Sequence, residues 1–267
     1  MKTYSSVAGG MLVGVLALTA EPVLAQASPE AASWSGSYVS LFGIESSSRV
    51  SGESRRGDGN VGTNASSESA EDSFRGAGAG LLLGFQRQFP TGIVVGLEAD
   101  WGWLHQEGRQ DTIVTANNAW NGMTQASILR ETRWLSTARL RLGYANGPFM
   151  VNITGGLAMA SLNETRTQYE GVSGPNQTMA RFSDSDHATP IGWTLGIGAA
   201  WRVSGAWSLR MDYLHTQFDS VRFSFPDARG GVVSGSGFAS VQGRSVENDV
   251  TMQTLRIGVT YRFGAAP

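Results

Sequence analysis

The sequence predicts an all-β fold: an eight-stranded antiparallel up-and-down transmembrane β-barrel with short periplasmic turns and four long extracellular loops. Three observations predict it. Eight segments alternate apolar and polar residues, their connections alternate strictly between short and long, and each segment sets bulky apolar side chains on one face against small, polar or charged ones on the other. Successive side chains of a strand point to opposite faces, so each segment is two-faced only as a strand.

The segments are "WSGSYVSLFGI" (34–44), "GAGAGLLLGFQRQF" (76–89), "IVVGLEADWGWLH" (93–105), "TRWLSTARLRLGYA" (132–145), "FMVNITGGLAMAS" (149–161), "PIGWTLGIGAAWRV" (190–203), "WSLRMDYLHTQF" (207–218) and "VTMQTLRIGVTYRF" (250–263). Each is long enough for a tilted membrane strand of about 9–11 residues. "PTG", "NGP" and "SGA" are tight-turn compositions and join segments two to three, four to five and six to seven. The stretches near 45–75, 106–131, 162–189 and 219–249 are long and rich in Ser, Gly, Asn, Thr and charge. In a meander this puts every short turn at one end and every long loop at the other, the asymmetry of bacterial outer-membrane barrels.

Volume decides which face is outside. Ile93, Val95, Leu97, Trp101 and Trp103 oppose Glu98, Asp100 and Gly102, and Trp134, Leu140, Leu142 and Tyr144 oppose Arg133, Arg139, Arg141 and Gly143. An eight-stranded bore is just wide enough for side chains to fill, so stacked Trp, Leu and Ile belong outside, against lipid. In water they would form a patch far larger than a soluble monomer tolerates. The last segment then faces lipid with Leu255, Ile257, Val259, Tyr261 and Phe263.

The inward set carries charge. Glu98, Asp100, Arg139, Arg141, Arg210, Asp212 and Arg256 are expected to form an interior ion-pair network, because an unpaired charge in a narrow bore costs several kcal/mol. The alternative is a set of independently solvated groups in a wet lumen. Aromatic residues are expected in two girdles flanking the apolar band. Trp34, Phe89, Tyr144, Phe149, Trp201 and Trp207 fall at the periplasmic side, and Phe42, Trp101, Trp103, Trp134, Trp193 and Tyr213 toward the loops.

Composition bounds the rest. The chain has 267 residues, of which 41% are hydrophobic and 16% charged, with 35 glycines, no cysteine and a net charge of −2. No basic run points to nucleic acid, and no disulfide, Cys-ligated metal or lipidated Cys is available. Lys2, the apolar run "VAGGMLVGVLALTA" and the small-residue sites in "EPVLAQA" read as an export signal over residues 1–25. Residues 26–33 follow as a periplasmic segment, 34–263 as the barrel and 264–267 as a short tail. No other segment is apolar for long enough to be a membrane helix, so the chain enters a bilayer only as a closed barrel.

No catalytic, metal or cofactor site is expected. His187 lies near Asp184 and Asp186 in "SDSDHATP", where a solvated loop is the better reading, because structural metal sites need three or four convergent ligands. His215 beside Thr216, and Ser161, are the nearest approach to a nucleophile and base, and they assemble no triad from sequence. "GAGAGLLLG" lacks the Lys-Ser/Thr of a phosphate loop and lies within a strand.

"WSGSYVSLFGI" after a signal, "WLSTARLRLGYA" with "PFMVNITGGLAMA", "GWTLGIGAAWRVSGAWSLRMDYLHTQF" and the aromatic-ended "LRIGVTYRF" resemble the small outer-membrane immunogenic proteins, porin-like eight-stranded barrels of Gram-negative bacteria. The resemblance spans residues 34–263. It implies an outer-membrane location among lipids and lipopolysaccharide, and a last strand read by the barrel-assembly machinery, although "GAAP" follows Phe263 where the family ends on the aromatic. It further implies a monomer with a structural or surface-interaction role: envelope integrity, a surface antigen, adhesion, or binding of a host or surface ligand through the loops. A narrow porin-like channel is the alternative, and a lipid A-modifying enzyme a lesser one.

Overall fold

The computed structural model describes residues 33–56, 72–114, 125–170, 179–234 and 237–263. They form ten strands: β1 (Gly36–Arg56), β2 (Asp72–Gln88), β3 (Ile93–Val114), β4 (Gln125–Asn146), β5 (Phe149–Glu170), β6 (Met179–Ala188), β7 (Ile191–Ser204), β8 (Trp207–Phe218), β9 (Val221–Ser234) and β10 (Gly237–Arg262). All pairings are antiparallel. β1 pairs with β2 on one side and with β10 on the other, so the sheet closes without an edge into an eight-membered ring, β1-β2-β3-β4-β5-β7-β8-β10.

The three short turns are built as their compositions require. Gly92, Gly147 and Gly205 have φ of 86°, 58° and 45°, values that only glycine adopts without strain. Each turn joins two ring strands at the same end of the barrel.

The other end differs from expectation. The stretches read as long loops are mostly strand: β1 runs on to Arg56, β3 to Val114 and β5 to Glu170, while β6 and β9 lie wholly beyond the apolar band. β5 pairs with β7 along Phe149–Met159, then with β6 along Leu162–Glu170, and β10 likewise passes from β8 to β9. The barrel wall therefore continues outward as hairpins, whose tips lie outside the described residues.

The faces explain why the wall can continue. On β3 the outward residues change from Leu97, Trp101 and Trp103 to His105, Glu107 and Arg109, while the inward ones change from Glu98 and Asp100 to Leu104. In the band the barrel is apolar outside and charged inside. Above it, the outside turns polar and the inside largely apolar: Val50, Phe74, Phe223, Phe225, Val246 and Val250 pack inside as one cluster with Ile44, Leu104, Leu135 and Met252, beside a buried Arg130–Glu164 ion pair at 3.2 Å. The hydrophobic effect thus holds both storeys, by contact with lipid below and by a water-excluding core above.

Candidate functional site

The most developed polar site is the interior of the membrane-spanning storey. β3 places Glu98 and Asp100 inward, β4 places Arg139 and Arg141, β8 places Arg210 and Asp212, and β10 places Arg256; all seven are buried. Register brings them together, since Glu98 pairs with Arg139 across β3 and β4, and Arg256 with Asp212 across β10 and β8.

Glu98 is the hub. Its carboxylate lies 3.2 Å from Arg139 Nη2, 2.8 Å from Arg141 Nη1 and 3.2 Å from Arg210 Nη2. It also accepts a 2.6 Å hydrogen bond from the Tyr38 hydroxyl. Asp100 is the second centre, 3.0 Å from Arg139 and 2.8 Å from Arg256, and it accepts from the Thr137 hydroxyl. Asp212 holds Arg210 Nε at 2.7 Å. The closest of these contacts, at 2.6 to 2.8 Å, have the short lengths of charge-assisted hydrogen bonds.

Tyr38 and Phe42 are interior residues that the sequence reading missed, and Phe42 corrects its placement in a lipid-facing girdle. Both are buried, and the Arg256 guanidinium lies 4.9 Å from the Phe42 ring centre. Glycines make the room: a Cβ on Gly80 would sit 2.6 Å from the tip of Phe42. A row of inward glycines on β2 was the available signal that a neighbour fills that volume.

Trp34 is a second correction. It is only 3% exposed and closes the periplasmic mouth from inside, packed with Val94, Ala145, Met150 and Ala200, instead of standing in the outer girdle. Its indole donates to Gly147 O at 3.3 Å, its backbone bonds Gln86 and Gln88 at 2.7 Å, and Arg202 and Arg262 lie 4.5 and 5.5 Å from its ring. Two cations and a hydrogen bond hold the indole in the mouth, and two backbone hydrogen bonds fix the residue there.

A third correction concerns Arg133. The β4–β5 register shifts between Thr132 and Leu135, so Arg133 points outward and Leu135 takes the inward place. A bulge of this kind puts an extra residue against the partner strand and re-aims the side chains after it. Arg133 is paired at 3.3 Å with Glu131, outside the bore.

The other aromatics of the expected girdles lie on the outer wall. Trp101, Trp103, Tyr144, Trp193, Trp201, Trp207 and Tyr213 are exposed, and half-buried Trp134 stacks on Trp101 at 4.6 Å. On β10, Ile257, Val259 and Tyr261 are exposed, as is Phe263 just past its end, and Leu255 is half-exposed on the same side, with Tyr261 between Trp207 and Phe263 at 5.0 and 5.2 Å.

The remaining candidates do not converge. His215 faces outward beside Trp193, whereas Thr216 points inward and donates to Thr194 at 3.0 Å. His187 is exposed, and the Asp184 and Asp186 carboxylates accept from the backbone N–H groups of Asp227 and Ser224. Among the described residues no three His, Asp or Glu side chains gather as a metal site.

A closed eight-strand ring with an apolar outer band, aromatic girdles and a charged, filled interior defines a transmembrane β-barrel of the bacterial outer membrane. Comparison with known proteins gives the family: residues 13–263 match the outer membrane protein beta-barrel domain, and the chain belongs to that family. It is 27% identical over 185 residues to the 31 kDa outer-membrane immunogenic protein of Brucella melitensis, covering 69% of this chain. The chain spans 65% of the length of that relative. It is 23% identical over 204 residues to the 25 kDa outer-membrane immunogenic protein of Brucella abortus, covering 72% of this chain and 80% of that one. Among solved structures it is similar to OprG from Pseudomonas aeruginosa, with 14% identity, TM-score 0.45 and coverage of 86% of this chain and 97% of that one. It is also similar to Ail of Yersinia pestis, with 13% identity, TM-score 0.36 and coverage of 86% and 99%.

Proposed function

We propose that this protein is a sealed structural and surface-interaction barrel, anchored in the outer membrane and carrying a stiff β-sheet extension to contact whatever meets the cell. The observation that carries this reading is the close filling of the bore among the described residues. Trp34 closes the periplasmic mouth, the Glu98 and Asp100 networks fill the middle, and an apolar core follows above. A filled bore favours anchorage over passage, and binding residues commonly ride on segments held by a rigid scaffold. The name of the Brucella relatives supports display as a surface antigen. On this reading the chain works as a monomer among lipids and lipopolysaccharide, and its first 25 residues are an export signal. The β10 residues Leu255 to Phe263 guide assembly. A non-catalytic role is favoured because His215 and Thr216 occupy opposite faces of one strand.

Single-channel recording tests the seal: the purified barrel in planar bilayers is expected to show no steady conductance. Stable openings that vanish in Arg139→Ala or Glu98→Gln would establish the channel reading instead. Topology is testable because the chain has no native cysteine. A membrane-impermeant maleimide on intact cells should label Glu107→Cys, Ser185→Cys and Arg222→Cys, all exposed beyond the band, and should leave Asn146→Cys and Ser204→Cys at the turn end unlabelled. The reverse pattern would invert the barrel in the membrane.

A further inference from the structure

We infer that the chamber between Trp34 and Glu98 is a halide site that takes one chloride ion. The charge in the bore calls for an anion. From the mouth to Asp100, among the described residues, the buried guanidinium groups of Arg139, Arg141, Arg210, Arg256 and Arg262 face three buried carboxylates, Glu98, Asp100 and Asp212. Surplus positive charge in a low-dielectric bore is costly unless a counter-charge joins it.

The unused donors are specific. Arg141 grips Glu98 through Nη1, which leaves its Nε–Nη2 edge, the fork with which a guanidinium holds an anion, without a hydrogen-bond partner. Arg210 Nη1 and Arg262 Nε are likewise buried and unpartnered. All three arginines line one cavity of about 10 Å³, which also receives Ser208 and Thr260. A space of that size holds one monatomic particle and no polyatomic solute, and a halide, slightly larger than water, fits once the arginine side chains that line it give by a few tenths of an ångström. A neutral water would accept from these donors and leave the surplus of two positive charges in place, whereas one chloride accepts from them and halves it. Glu98 approaches Arg141 on its other edge, so the two negative charges are separated by the guanidinium between them. The inference is independent of what the hairpin tips contact.

Two measurements on the detergent-refolded mature protein decide it. Crystals grown with sodium bromide in place of chloride should give an anomalous bromine peak between Arg141 and Arg210. Replacing gluconate by chloride at constant ionic strength should raise the thermal midpoint saturably, by about 4 °C at tenfold excess over half-saturation. Ser208→Leu, which fills the chamber without removing a charge, should abolish that rise; should it not fold, Arg262→Gln at the mouth is expected to weaken halide affinity at least fivefold. Absence of the bromine peak, or a chloride response no larger than that of gluconate, overturns the site and leaves a water there.

Discussion

Glu98→Ala is expected to lower the thermal midpoint of the folded barrel by on the order of 10 °C, read as loss of the compact band in unboiled gel samples on heating. The substitution takes a carboxylate from three guanidinium groups and from the Tyr38 hydroxyl: Arg139 keeps Asp100 and Arg210 keeps Asp212, but Arg141 is left buried without its ion-pair partner. Removing one member of a buried ion pair costs about 3–5 kcal/mol, because the partner keeps its desolvation penalty and loses its compensation. At a few degrees per kcal/mol for a domain of this size, that gives the stated drop. Arg141→Ala should cost less, since Glu98 keeps two other arginines. The double variant should cost less than the sum of the two, because each loss partly relieves the other. Glu107→Ala, exposed above the band, is the control and should stay within about 0.5 kcal/mol of the parent. A midpoint for Glu98→Ala within 2 °C of the parent would mean that these charges are solvated independently.

How much of this was legible depended on the physics at each position. The membrane-spanning parts of the strands could be read because lipid demands an unbroken apolar face, as Leu97, Leu140 and Ile257 supply. The outward continuation could not, because the two faces exchange polarity: on β3 the apolar residue moves from Trp103 outside to Leu104 inside, and a count of period-two matches ends where the phase flips. Arg133 was misplaced for a local reason, since nothing in "RETRWLST" marks the bulge that turns it outward. Trp34, Tyr38 and Phe42 were missed because bulk was assigned to lipid by volume alone. The bore accepts them only where a facing strand gives up its own volume, as Gly80 does for Phe42. The charged residues were legible because alternation places them inward and neighbouring strands carry opposite signs at matching heights.

The second large effect is expected at the lipid face. Leu140→Arg should destabilise the barrel by about 2–4 kcal/mol in bilayers, where an arginine near the midplane must be hydrated or drawn to a headgroup, and the cost falls to about 0–1 kcal/mol near the interfaces. Leu140 is 64% exposed on the outer wall between the girdles, one residue from buried Arg141. These neighbours have opposite requirements, because the strand turns each successive side chain to the other face. Arg141→Leu loses the Glu98 partner, Leu140→Arg loses hydrocarbon contact, and exchanging the two reverses the strand locally, so the exchange should be at least as harmful as either single change. Trp103→Arg, at the upper girdle, should cost less than Leu140→Arg, and Glu107→Arg, beyond the phase flip, should cost almost nothing. Equilibrium folding into phosphatidylcholine vesicles against urea measures the series. The order of the three outward substitutions locates the bilayer boundary on β3 and β4, between Trp103 and Glu107. A cost for Glu107→Arg equal to that of Leu140→Arg would place the upper storey in lipid, and its inward Phe223 and Val246 would then require a different account.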